Sequence, residues 1–76
     1  MDINDIDSFV DQIGTVAIAV QEALEIFTND VDIVETGGGL RVIENEEEVA
    51  ENALTQLRDA KEKLIAVIEE IESKIA

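Results

Sequence analysis

The chain has 76 residues, a formal charge of −14 and neither His nor Cys, which removes the commonest catalytic base, the usual zinc ligands and any disulfide. Its apolar content of 46% suits a folded domain, but a domain this small buries only about 60% of the surface its unfolded chain exposes. Stability must therefore come from helix packing or from association with other chains.

Charge is unevenly distributed. No Lys or Arg precedes Arg41, while acids recur from Asp2 to Glu35. Such a field repels nucleic acid and anionic membranes and attracts basic protein surfaces over a Debye length of about 8 Å. The longest apolar runs, Val16 to Val20 and Leu64 to Ile68, fall short of the roughly 18 residues needed to span a bilayer. The leading MDINDID is acidic where a secretory signal is basic. A soluble cytoplasmic protein is expected, in host cytoplasm if the chain is viral.

From Ile3 to Phe27 the apolar positions Ile3, Ile6, Val10, Ile13, Ala17, Val20, Leu24 and Phe27 alternate spacings of three and four, a heptad seam. A second stripe, Phe9, Val16, Ala23 and Ile26, widens the apolar face. The spacing predicts a helix over about 5–28, roughly 36 Å long, started by Asn4 or Asp2 and stopped by a left-handed Asn29. Gly14 is either a tolerated glycine or a point of close helix approach, the first being the simpler reading.

Residues 31–44, VDIVETGGGLRVIE, read as a β-hairpin turning at Gly37 to Gly39. A two-residue loop pairs Glu35 with Leu40 and puts the apolar side chains on one face; a three-residue loop pairs Glu35 with Arg41 and leaves them on both. The opposite-charge pair favours the second.

Asn45 and Glu48 form a capping-box pattern at the start of a second helix over 46–75. Its seam is Ala50, Leu54, Leu57, Lys61, Leu64, Ile68, Ile71 and Ile75. Lys61 occupies an apolar slot, where it snorkels outward or fixes register against a carboxylate. If Thr28 lies beside Glu46, residues 64–68 fall near residues 6–10 and away from Val16 to Val20, so the two bands that are apolar on every side do not cover each other. Exposing them argues for a second subunit.

The expected fold is thus α+β, mainly α: one domain over 1–76, with two long antiparallel helices joined by a hairpin and packed into a homo-oligomer. Its expected interface comprises Val16, Ile18, Val20, Leu64, Ile65, Val67 and Ile68. The order helix, hairpin, helix is similar to that of small phage head-to-tail joining proteins, a likeness of architecture without a shared motif.

No constellation for catalysis or for a cofactor is evident, and no metal-ligand spacing. The chain reads as a non-enzymatic interaction module with an acidic partner surface at Asp7, Asp11, Glu22 and Glu25. An inhibitor covering the basic nucleic-acid-binding groove of its target, such as a phage-encoded anti-defence protein, is one form of this. Two alternatives stand beside it. Thr36, Gly37, Gly38, Gly39, Arg41 and Lys61 could hold an anion, so that an oligomer sequesters a nucleotide-type signal between subunits. The chain could also be a virion or assembly component.

Overall fold

The computed structural model describes all 76 residues. It consists of helix α1 (Ile3–Asn29), strands β1 (Ile33–Glu35) and β2 (Arg41–Ile43), and helix α2 (Glu46–Ile75). The helices run antiparallel against each other, and the strands form a two-stranded antiparallel hairpin at one end. The molecule is a rod, 62 × 16 × 14 Å in its Cα extents.

Helix α1 is started by Asp2. Its carboxylate accepts the amides of Asn4 (2.8 Å) and Asp5 (3.1 Å), and its own amide donates to Asp5 Oδ2 (3.0 Å), closing a capping box in which an aspartate replaces the usual glutamate. Asp5 also meets Lys74 at 3.3 Å, tying the first turn of α1 to the last of α2. The Asp2 amide and then the Lys74 ammonium hold the Asp5 carboxyl below its usual range. At the other end Asn29 is not left-handed. It remains helical, Asp30 caps with φ −98 and ψ −1, and no residue other than glycine takes positive φ.

The hairpin has the three-residue loop: Ile33 pairs with Ile43, Val34 with Val42 and Glu35 with Arg41. Gly39 N donates to Thr36 O (3.0 Å) and Thr36 N to Leu40 O (2.7 Å). Gly39 alone adopts positive φ, at 79°, as a turn followed by a left-handed residue requires. The Glu35 and Arg41 side chains, although opposite, form no ion pair. The molecule's two salt bridges are Lys63–Asp59 (2.9 Å) and Lys74–Asp5. On an exposed strand nothing holds such a pair together against solvation.

Asn45 does not cap α2 with its side chain, so the expected capping box with Glu48 is absent. Its carboxamide is engaged elsewhere. Oδ1 accepts the Asp32 amide (2.8 Å) and Nδ2 donates to the Asp30 carbonyl (2.7 Å). Asn45 is therefore a clasp joining the end of α1 to the start of α2.

The contact between the helices uses the second stripe of α1. Phe9, Val16, Ala19 and Ala23 are buried against Val49, Ala53, Ala60 and Val67, with Gln12 and Gln56 half-buried among them. Gln12 Nε2 donates to Glu70 Oε2 (2.9 Å), a further register pin. This register brings Lys63 and Ala66 beside Gln12 and Thr15, where the four line a shallow hollow. Residues 64–68 therefore lie closer to Val16 than a Thr28–Glu46 alignment implies. Gly14 is outside this contact, and a Cβ built on it meets nothing within 4 Å. It is a tolerated glycine, and close helix approach is provided by the alanines instead.

Three measurements follow from these contacts. Gly14→Ala should stabilise by up to ~1 kcal/mol, raising the melting temperature by about 4–8 °C per kcal/mol in a domain of this size. Asn45→Asp separates cap from clasp. Asn and Asp cap equally well, so a capping role predicts no change; the clasp predicts a loss of about 1–3 kcal/mol in denaturant unfolding, because a carboxylate would face the Asp30 carbonyl without a proton to share. Asp5 has a depressed carboxyl pKa in the folded chain, so its contribution is present above its unfolded value and is lost as pH falls through the folded one. The stability difference between the native chain and Asp5→Asn should thus be largest near neutrality and close on acidification.

Candidate interaction surfaces

A helix in a two-helix hairpin has one seam toward its mate and a flank on either side. The inner seam of α1 runs through Asp5, Phe9, Gln12, Val16, Ala19, Ala23 and Ile26; that of α2 runs through Val49, Ala53, Gln56, Ala60, Lys63 and Val67. Stepping one residue forward turns about 100° around an α-helix. Because the helices are antiparallel, that step leads to the same side of the hairpin from both.

The side one residue forward carries Ile6, Val10, Ile13, Ala17, Val20, Leu24 and Phe27 from α1, and Ala50, Leu54, Leu57, Lys61, Leu64, Ile68 and Ile71 from α2. These are the two seams expected to pack the helices together, and they face outward. Val10 is 63% exposed, Leu24 54% and Leu64 44%. Small residues explain the exchange: Ala19, Ala23, Ala53 and Ala60 let the backbones approach where Leu and Ile would hold them apart. The register places Phe27 across from Ala50, Ala17 from Lys61, and Ile13 from Leu64. From Ile6 to Phe27 and from Ala50 to Ile71 no acid lies on this side; its charges are Lys61, exposed and without an ion pair, and Glu47 at the hairpin end, one heptad before Leu54.

The opposite side, one residue back from each inner position, carries Asp11, Glu22, Glu25, Glu48, Asp59, Glu62 and Glu69 among Ser8, Thr15, Asn52 and Thr55. None of its positions holds Lys or Arg; the Lys63 ammonium reaches Asp59 from the inner seam. The two flanks therefore differ in kind, one apolar and one acidic.

Of the residues singled out from the sequence, Val20, Leu64 and Ile68 lie on the apolar side. Val16 and Val67, expected at a subunit interface, are buried inside the chain, Val67 at 1% exposure, because they face the other helix. Ile18, 62% exposed, belongs to the acidic side, and Ile65 to the outward back of α2. Asp11, Glu22 and Glu25 share the acidic side, and Asp7 lies on the outward back of α1. The anion candidates are not brought together. Thr36, Gly37, Gly38, Gly39 and Arg41 sit at the hairpin, while Lys61 is about 22 Å along α2 from its start. The amides of Thr36 and Gly39 already donate within the turn.

The residues that sequence reasoning misplaced are Ile13, Leu24, Leu54 and Leu57, assigned to the intrachain seam. The signal that could have located them is a second heptad register one residue behind the first, rich in alanine. No group of three or more carboxylates converges as a metal site would, and no helix is long and apolar enough to cross a membrane. Comparison with family models, with curated proteins and with solved structures finds no match.

Proposed function

We propose that this chain is a non-enzymatic protein-interaction module that self-associates through its apolar side and turns its acidic side to a basic protein surface. The observation that carries the reading is the segregation of charge: Asp11, Glu22, Glu25, Glu48, Glu62 and Glu69 on one flank, against a single acid, Glu47 at the hairpin end, on the other. A purely solubilising charge has no reason to be sorted in this way.

Carboxylates on a rigid two-helix surface act at long range. They speed encounter with a basic groove and select against acidic partners, and their effect weakens as salt rises. An inhibitor that occupies a nucleic-acid-binding groove needs this surface and little chemistry of its own. Sequestration of a nucleotide lacks comparable support, since Lys61 is remote from the turn and Glu35 stands directly across from Arg41.

The test is capture of partners from lysate across a salt series by the native chain and by Asp11→Lys/Glu22→Lys/Glu25→Lys. Native capture should fall steeply with salt and the variant should capture little at any salt, with helical content unchanged in both. Equal capture by the two chains at every salt concentration would contradict the electrostatic reading.

A further inference from the structure

We infer that two copies of this chain pack apolar side to apolar side about a two-fold axis along the rod, giving a four-helix bundle with both β-hairpins at the same end. This rests on the self-association in the reading above and specifies its partner and geometry.

The area is sufficient. The helical part of the apolar side, 30 residues or ~45 Å long and 16 Å wide, presents on the order of 700 Å² in plan, so two such sides bury roughly 1,400 Å², within the usual range for a specific interface. A free monomer rarely leaves so much apolar surface in one piece. Charge also points to a second copy facing this way. Each chain carries −14, and joining the apolar sides, whose one acid is Glu47 at the hairpin end, is the arrangement that keeps the acidic flanks of both copies outside.

Two observations select the same-end arrangement. The two-fold along the rod sets α1 of one copy against α2 of the other, level by level. Phe27 then meets Ala50 of the second copy, and Lys61 meets Ala17. Large faces small at both uneven levels, and Ala17 leaves room for the Lys61 stem to run to the edge of the bundle. The reverse arrangement, with hairpins at opposite ends, sets α2 against α2; full overlap of Glu46–Ile75 then brings the two Lys61 side chains together near mid-length and loses both fits. The second observation is the hairpin itself. Its strands pair only with each other, and Ile33, Val34, Val42 and Ile43 remain exposed on both faces. A lone two-stranded hairpin is marginal in water, and a neighbouring hairpin at the same end gives these side chains a surface to cover.

Sedimentation of the full chain at micromolar concentration should give twice the 8.3 kDa chain mass, undiminished by salt. Leu57→Glu, on the apolar side, should return the monomer mass, whereas Ile18→Glu, on the acidic side, should leave the dimer intact. A nitroxide on Gly38→Cys reads the orientation independently of any interface change, since a Cβ there meets nothing and the chain has no other cysteine. Paired labels should lie close together. A monomeric native chain, or a dimer indifferent to Leu57→Glu, overturns the proposed interface; a dimer whose labels are separated by a distance approaching the 62 Å rod length overturns the same-end geometry. Salt-sensitive lysate capture is scored separately, so an intact dimer that captures nothing contradicts only the acidic-surface reading.

Discussion

Ala19, Ala23, Ala53 and Ala60 line the contact between α1 and α2, and their size is the constraint on which the other features depend. Small side chains let two helices approach closely, but they bury little area, so this contact is a weak source of stability at ~25 cal/mol per Å². The fully buried core shows as much. Val16, Ala19 and Ala60 form its one cluster, while Ile13, Val20, Leu24, Leu54, Leu57 and Leu64 stay outside. Polar contacts supply direction where burial supplies little. Asp5 with Lys74, Gln12 with Glu70 and the Asn45 clasp fix register at both ends of the hairpin and near the open end. An inner seam of alanines and pins, flanked by a seam of large aliphatics, is the pattern of a helix that must touch two neighbours rather than one.

The element order, the limits of α2, the hairpin and its register could be read from the sequence, because each rests on local chemistry: heptad spacing, a glycine turn, and a strand pattern that only a three-residue loop aligns as Glu35 with Arg41. Which seam faces the other helix could not. Ile3 to Phe27 keeps the three-four alternation with apolar residues throughout, Phe9 to Ile26 keeps it only by way of Gln12 and Ala19, and hydrophobicity alone favours the first. The choice is made by contacts between residues far apart in the chain, such as Gln12 with Glu70, which no local pattern announces. Asn45 misled for a related reason. Its position before Glu46, Glu47 and Glu48 is that of a cap, yet the end of α1 lies within reach and competes for the same carboxamide.

The candidate surface was legible in charge and not in geometry. The absence of Lys and Arg before Arg41 pointed to an acidic face, and Asp11, Glu22 and Glu25 do share one flank. Helix α2 adds Glu48, Glu62 and Glu69 to it only because the antiparallel register brings them to the same side. Burial and charge thus agree in dividing the rod lengthwise, apolar on one flank and acidic on the other. The division links the proposed assembly to the proposed recognition: covering one flank leaves the other as the surface that partners meet.

Methyl resonances report this division most directly. In the intact chain at assembling concentration, a soluble paramagnetic agent should strongly relax the methyl groups of Ile18 on the acidic side. It should spare those of Ile13, Leu57 and Leu64 nearly as well as those of Val16 and Val67 in the inner seam. Relaxation of Ile13, Leu57 and Leu64 as strong as that of Ile18 would contradict the account, since the apolar flank would then be open to solvent.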